Sequence, residues 1–269
     1  MTEQNRAASY VMITGASSGI GACFAERFAR EGFSLVLIAR REERLVALKE
    51  KLRKEIGKEQ EILLLTADLN LSTEVNQIFH QVREKNLLIF INNAGFGDCG
   101  CFLDTDEQKE LSMIDVNVKA MHPAMKLALQ QMQKKERGYI LNVASSAGLL
   151  PAGPYMATYY ATKAYVTSIT RAVAAELAQQ GSNIYLGALC PGPVDTEFND
   201  VANVSFALKG ISAEKCVDYA IKKMKKRKTI IVPSIAIQIV TTFGRVLPVR
   251  FMVWLTSRQQ KKKLSVAEK

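Results

Sequence analysis

The 269-residue sequence predicts an α/β fold in which a parallel sheet is covered by helices on both faces. Three observations carry that expectation. Short apolar runs alternate with longer helical patterns along most of the chain. The runs are continuously apolar rather than alternating, so each strand is buried on both faces. The first run feeds a glycine-rich turn that opens a helix, the arrangement of a doubly wound, Rossmann-type sheet.

The elements follow in order. Tyr10–Thr14 is a buried strand, followed by a helix over Gly19–Glu31. Leu35–Ala39 is the second strand and Glu42–Ile56 a highly charged helix. Ile62–Leu69 is the third strand, with a helix near Thr73–Glu84, and Leu87–Gly95 is the fourth. Tyr139–Ser145 and Asn183–Cys190 each follow a long helix, near Glu107–Lys135 and Tyr159–Gln179, and Thr229–Pro233 is the last strand. With no internal repeat and no Pro/Ser-rich linker, residues 1–232 read as one domain. Residues 233–269 read as a basic, apolar, helical C-terminal extension packed on or beside it.

Composition narrows the class. Hydrophobic residues at 48% and charged residues at 23% are ordinary for a globular protein. No apolar run precedes the first glycine, so no secretory signal is read. Cys23, Cys99, Cys101, Cys190 and Cys216 are odd in number and lack framework spacing, which fits reduced thiols and a cytoplasmic location. Cys99 and Cys101 are too close together for a zinc knuckle, and His80 and His122 are isolated, so no metal is expected. The uncharged run Thr229–Gly244 is shorter than the roughly 20 residues a membrane span needs, and Pro233 interrupts it.

The net charge of +10 is uneven. Residues 1–208 carry 21 Lys and Arg against 23 Asp and Glu, whereas residues 209–269 carry 15 against 3. Such a tail is a solvated surface or an attractor of phosphates, nucleic acid or anionic lipid. It holds no nucleic-acid reading motif, so no nucleic-acid partner is expected. Within it, Ile235–Leu255 is unusually apolar, with Phe243, Phe251 and Trp254 among Arg245, Arg250 and, just beyond, Arg258. It reads as a substrate lid, an oligomer contact or an interfacial helix giving membrane association at the surface.

The glycine-rich turn is Thr14-Gly15-Ala16-Ser17-Ser18-Gly19-Ile20-Gly21. Glycines let the backbone approach a pyrophosphate, and the helix N-terminus adds N–H donors and partial positive charge. Gly15, Ser17, Ser18, Gly19, Ile20 and Gly21 are therefore cofactor-binding candidates. The second strand ends at Ala39, where a carboxylate for a ribose 2′-hydroxyl is absent, and Arg40 and Arg41 follow. A guanidinium there suits a 2′-phosphate, which favours NADP over NAD; the two arginines are otherwise the start of a solvated helix. Asp68, with Leu69 beside it, can reach an adenine amino group or open the next helix. Asn92, Ala94 and Gly95 are further cofactor-binding candidates: Asn92 can bond neighbouring backbone, and Gly95 lets the chain pass close to a cofactor.

Tyr159 and Lys163 are four apart on a helix, so phenol and ammonium share a face. A nearby cation favours the phenolate and suits the tyrosine to exchange a proton near neutral pH. Tyr160, three residues from Lys163, is the rival.

Six blocks in order, TGASSGIG (14–21), NNAG (92–95), DVNVKA around Asn117, NVASSAG (142–148), YYATK (159–163) and PGPVDT (191–196), resemble the short-chain dehydrogenase/reductase family over about residues 8–232. The resemblance lies toward the branch of hydroxysteroid dehydrogenases and 3-oxoacyl-thioester reductases. It implies a tetrad of Asn117, Ser145, Tyr159 and Lys163. Ser145 polarises a carbonyl, Tyr159 exchanges the proton, Lys163 lowers the tyrosine pKa and holds the nicotinamide ribose, and Asn117 positions a water. It also implies that Pro191, Gly192, Val194 and Thr196 lie against the nicotinamide, and that copies pair as a homodimer or homotetramer through the two long helices. The usual 13-residue spacing from the tyrosine selects Ser146, whereas the local N-x-x-S-x-x-G pattern selects Ser145; loops absorb insertions better than strands, which favours Ser145.

Leu149, Leu150, Pro154, Tyr155, Phe198, Val201 and Phe206 would flank the nicotinamide and favour a lipophilic ketone or alcohol as small-molecule substrate. The alternative is a catalytically silent NADP-sensing or interaction protein of the same fold.

Overall fold

The computed structural model describes residues 3–56, 60–198, 202, 210–244 and 246–267. The strands are β1 (Tyr10–Thr14), β2 (Ser34–Ala39), β3 (Ile62–Thr66), β4 (Leu87–Asn92), β5 (Gly138–Val143), β6 (Ile184–Leu189), the short pair β7 (Val194–Asp195) and β8 (Ile211–Ser212), and β9 (Ile230–Ile231). Seven form one parallel sheet in the order β3-β2-β1-β4-β5-β6-β9. The order reverses between β1 and β4, which opens a crevice at their carboxyl ends.

The helices are α1 (Glu3–Ala7), α2 (Gly19–Arg30), α3 (Glu42–Glu55), α4 (Ser72–Gln81), α5 (Glu107–Ile114), α6 (Met121–Gln133), α7 (Ala157–Gln179), α8 (Ala213–Lys225), α9 (Ile235–Phe243) and α10 (Val249–Ala267). Strand residues alternate between two cores. Val11, Ile13, Leu35 and Leu37 join Phe24, Phe28 and Leu45 of α2 and α3 and Val217 and Ile221 of α8. Met12, Val36, Ile38 and Phe90 join Ile78 of α4, Met121 and Met125 of α6 and Val166 of α7. That division explains why the strand sequences are apolar at every position.

Three strand ends and one helix differ from expectation. Strand pairing stops at Thr66, Asn92 and Val143, so Asp68, Gly95 and Ser145 sit in the loops just beyond the strand ends. The single helix expected near Glu107–Lys135 is broken by a π-helical segment at Asp115–Ala120. Pro123 accounts for the place of the break: it has no N–H for the carbonyl of Lys119, and its ring would crowd that carbonyl in a regular turn.

The C-terminal segment is helical. Thr256 Oγ1 donates to the Ala152 carbonyl (3.0 Å) and Gln260 Nε2 to the Tyr160 hydroxyl (2.7 Å), which tie α10 to the loop before α7 and to α7 itself. No helix among the described residues is long and apolar enough to cross a membrane.

Phe28 stacks on Phe24 (6.0 Å) and meets Phe33 edge-on (5.9 Å) in the first core. Phe28→Ala should cost about 3–5 kcal/mol of stability. A drop in the denaturation midpoint with unchanged slope checks this; a loss under ~1 kcal/mol would show that the neighbours collapse into the space.

Candidate active site

The carboxyl ends of β1, β4, β5 and β6 open on one cavity of about 880 Å³. The glycine turn forms one end. Gly15 and Gly19 have φ of 64° and 54°, a region that favours glycine. A side chain at Gly15 would meet Asn93 Nδ2 at 2.9 Å, and one at Gly19 would meet Thr196 Cβ at 3.2 Å. Gly15, Ser17, Ser18, Gly19 and Ile20 all line the cavity. Gly21 does not; a Cβ there would collide with the Gly15 carbonyl oxygen, so its role is to let α2 close against the turn. Ser18, the N-cap of α2, makes no side-chain cap, and the first turn of α2 carries no acid. The helix end is thus fitted to an anionic group.

The loop after β4 is fastened to this turn. Thr14 Oγ1 accepts the N–H groups of Asn93 and Ala94, both at 2.9 Å, and Asn93 Nδ2 donates to the Thr14 carbonyl at 2.9 Å. Asn93, Ala94 and Gly95 line the cavity. Asn92 does not: it is buried, and its amide donates to the Met121 carbonyl (3.0 Å) and to Asn142 Oδ1 (3.2 Å). Successive strand residues face opposite sides, so Asn92 staples β4 to α6 and β5 while its neighbour meets the cavity. Thr14 and Asn93 lie within the TGASSGIG and NNAG blocks, but no spacing rule marks them.

Arg40 and Arg41 line the adjacent wall. Arg41 Nη2 donates to the hydroxyls of Ser17 (3.3 Å) and Ser18 (3.2 Å), so this guanidinium reaches back over the glycine turn. Glu197 pairs with both Arg41 (3.3 Å) and Arg44 (2.6 Å), and Arg44 foremost holds its carboxyl below the usual range. Asp68 and Leu69 line the cavity beyond β3. Asp68 Oδ1 accepts the backbone and side-chain N–H groups of Asn70, closing the turn before α4, which itself starts only at Ser72.

Tyr159, the third residue of α7, and Lys163 one turn on both face the cavity and are buried. Ser145 lies near enough to the Tyr159 phenol to favour its ionised form, and its Oγ accepts the Ala147 N–H at 3.2 Å; of the two serines it is Ser146 that lines the cavity. The Tyr160 hydroxyl is engaged by Gln260 instead, and burial pushes its pKa up to about 12. Lys163 Nζ donates to the Val143 carbonyl at 3.0 Å and lies 5.8 Å from the centre of the Tyr159 ring. Helical spacing alone predicts a lowered phenol pKa. Burial reverses that here: it pushes Tyr159 well above its ordinary range, against the opposing effect of Ser145. The same burial lowers Lys163 to about 8. Both charged forms are penalised where water is excluded.

Asn117 lies in the π-helical segment, buried behind the cavity. Its Nδ2 donates to the Phe96 carbonyl (2.9 Å) and Thr162 Oγ1 (3.1 Å), and its Oδ1 accepts the Phe96 N–H (3.1 Å). With both amide protons committed to the β4 loop and α7, Asn117 can hold a water only as an acceptor, through a carbonyl oxygen. A Cβ at Gly95 would meet Asn117 Oδ1 at 2.7 Å and Lys163 Nζ at 3.1 Å, so that glycine lets the loop pass over both.

Pro191, Gly192, Val194 and Thr196 form a further wall. At the far end, Leu150 and Phe198 line the cavity, and the Phe198 ring lies 5.6 Å from that of Tyr159. Leu149, Pro154 and Tyr155 are not among the lining residues, and Val201 and Phe206 fall outside the described residues. The rest of this end is supplied by the C-terminal helices: Ile237, Val240 and Thr241 of α9, and Leu255, Arg258, Gln259 and Gln260 of α10. Gln260 Oε1 is buried without a hydrogen-bond partner. Among the described residues, no cluster of three or more His, Cys, Asp or Glu is placed to hold a metal.

Residues 9–205 match the family model for short chain dehydrogenases, and the chain belongs to that family of oxidoreductases acting on alcohol and ketone groups. It is 31% identical over 186 residues to a very-long-chain 3-oxoacyl-CoA reductase of Meyerozyma guilliermondii, a match spanning 66% of this chain and only 54% of that protein. An uncharacterized oxidoreductase of Staphylococcus saprophyticus is 37% identical over 193 residues, 71% of this chain and 76% of the relative. Among solved structures, a short-chain dehydrogenase from Sphingobium yanoikuyae in complex with NADPH superposes with a TM-score of 0.79 at 33% identity, over 88% of this chain and 93% of that one. The bulky-bulky ketone specific alcohol dehydrogenase from Comamonas testosteroni gives 0.75 at 28%, over 88% and 92%.

A depressed lysine pKa has a defined pH signature. The unfolded chain holds the Lys163 proton up to about 10.5, the folded one only to about 8. The cost of burying the charge is therefore fully present below pH 8 and is relieved as pH rises toward 10.5. In thermal unfolding of the cofactor-free protein, wild type should gain on Lys163→Met across that window. A difference independent of pH would show that Lys163 is not the titrating group.

Proposed function

We propose that the chain is an NADP-dependent carbonyl reductase or alcohol dehydrogenase, with Tyr159 as acid and base on a lipophilic ketone or alcohol and residues 233–269 as an extension closing its substrate end. The supporting observation is that Tyr159 and Lys163, both buried, line one cavity whose other end is the glycine turn, with Ser145 beside the Tyr159 phenol. Bound NADP(H) supplies or accepts the hydride. The chain's own residues do the rest. Tyr159 gives a proton to the substrate oxygen in reduction and takes it back in oxidation. Ser145 lies beside that phenol and orients the oxygen toward it. Lys163, anchored on Val143, favours the phenolate when charged and reaches the ribose. Asn117 acts by position, holding the Phe96 loop against α7.

For the cofactor, Ser17 and Ser18 lie under the Arg41 guanidinium, and Arg40 stands beside it with no acid at Ala39. That set suits a 2′-phosphate, and the Sphingobium relative carries NADPH. For the substrate, Leu150, Met156, Phe198 and Val240 make an apolar chamber, and the Comamonas relative is specific for bulky ketones. The unpaired Gln260 Oε1 adds one polar demand: a donor on the substrate, such as a hydroxyl remote from the carbonyl.

Three measurements test these assignments. With NADPH and a panel of lipophilic ketones, Tyr159→Phe should lower turnover at least ~100-fold while NADPH affinity stays within about threefold. NADPH binding by wild type with no turnover of any ketone or alcohol would favour the silent sensor. Replacing Arg40 and Arg41 together by Ala should weaken NADPH roughly 10–100-fold and NADH by less than about threefold; equal losses would sink the NADP preference. Gln260→Leu should cost about tenfold in kcat/KM only for ketones that carry the remote hydroxyl, so an equal loss for the deoxy analogue would count against the acceptor role.

A further inference from the structure

Ten of the sixteen large hydrophobic side chains that are exposed among the described residues fall within 235–255. On α9, Ile235, Ile239 and Phe243 are spaced by four and form one outward stripe, 74%, 52% and 64% exposed. Val246, Leu247 and Val249 continue it, and in α10 the exposed rings of Phe251 and Trp254 stack with centres 5.8 Å apart. A contiguous apolar ledge of this kind marks a contact surface.

Charge identifies the contact. Residues 233–267, which include α9 and α10, have six Lys and Arg and no Asp or Glu. Arg258 stands over the Trp254 ring at 5.1 Å, and Arg250 and Lys261 lie on the same helix. A second copy of this chain would bring a like-charged face against this one, whereas an anionic bilayer offers both an apolar interior and the opposite charge. No described helix is both long and apolar enough to span, so the geometry is that of helices lying in the interface, with the tryptophan at headgroup level.

We propose that α9 and α10 dock on an anionic lipid bilayer and seat the mouth of the catalytic cavity at the membrane surface. Val240, Leu255 and Arg258 carry the link: the first two are exposed on the ledge, and all three also line the cavity. The ledge and the cavity wall are thus two faces of the same helices. A ketone dissolved in the bilayer reaches Tyr159 without crossing bulk water; this part rests on the function proposed above.

Trp254 is the only tryptophan of the chain and reports directly. Full-length protein is titrated with phosphatidylcholine vesicles containing phosphatidylglycerol. The expected result is a blue shift of Trp254 emission and quenching by brominated acyl chains, with affinity at least ~10-fold weaker for pure phosphatidylcholine or in ~0.5 M salt. Phe243→Ser with Phe251→Ser, which leaves the cavity lining intact, should weaken binding at least ~10-fold and lower turnover of a vesicle-borne ketone but not of a water-soluble one. The absence of any shift with anionic vesicles, or equal binding by the double variant, overturns the proposal. So does a wild-type dimer in size exclusion that the double variant converts to monomer, which would mean that a second copy covers the ledge. Vesicle binding without turnover of any ketone leaves the docking standing and sinks the enzymatic reading; turnover without vesicle binding does the reverse.

Discussion

A single buried ammonium, that of Lys163, governs how the catalytic half of the fold is built. Its nitrogen is tied to the carbonyl of Val143 at the end of β5, so α7 must run tightly across that strand end. Such an approach leaves no room for a side chain at Gly148, whose Cβ would collide with the Lys163 carbonyl oxygen. Thr167 closes the same contact by donating to the Gly148 carbonyl at 2.7 Å. On the other side, Gly95 lets the β4 loop cross both the ammonium and Asn117. A charge taken out of water costs several kcal/mol unless its neighbours compensate. The glycines and the buried amide around Lys163 are the means by which backbone dipoles are brought that close.

The nucleotide half depends on a simpler fastening. Thr14 ends β1, and its one hydroxyl oxygen accepts two consecutive N–H groups from the loop after β4. These two strands flank the reversal of sheet order, where nothing but side chains and loop backbone can bridge the crevice. Thr14 therefore sets the distance between the glycine turn and the loop that carries Gly95. Cofactor end and catalytic end are thereby held in one frame, with the cavity between them.

The fold was readable from the chain because each strand is apolar on both faces and each break is a glycine turn or a charged helix. Tyr159 and Lys163 were readable because helical spacing is local. What escaped was set by tertiary contacts. Nothing around Asn92 and Asn93 says which asparagine turns to the cavity; strand parity at the sheet edge decides it. Pro123 was visible in the sequence, but only with α6 in place does it locate the π-helical break beneath Asn117. The sign of the Tyr159 shift was also beyond local reading, since spacing supplies the cation while burial supplies the larger, opposite effect. Gln260 lies a hundred residues from Tyr160 in sequence, in an extension whose composition suggested packing on or beside the domain but not which residue it would meet.

That last contact sharpens what the tail does. Tyr159 and Tyr160 are adjacent, and their rings meet at a 75° interplanar angle, but their hydroxyls serve different partners. One lies beside Ser145, the other accepts a hydrogen bond from Gln260 of α10. A displacement of α10 is therefore felt at the base of the catalytic helix, one residue from the proposed acid. Thr256 adds a second tie, to Ala152 in the loop between Ser145 and Tyr159. Both segments that bring serine and tyrosine together are thus braced by the same C-terminal helix. Whatever holds α10 in place from outside also bears on the geometry of the proton-transfer pair, which makes the outward face of that helix part of the site's physical environment.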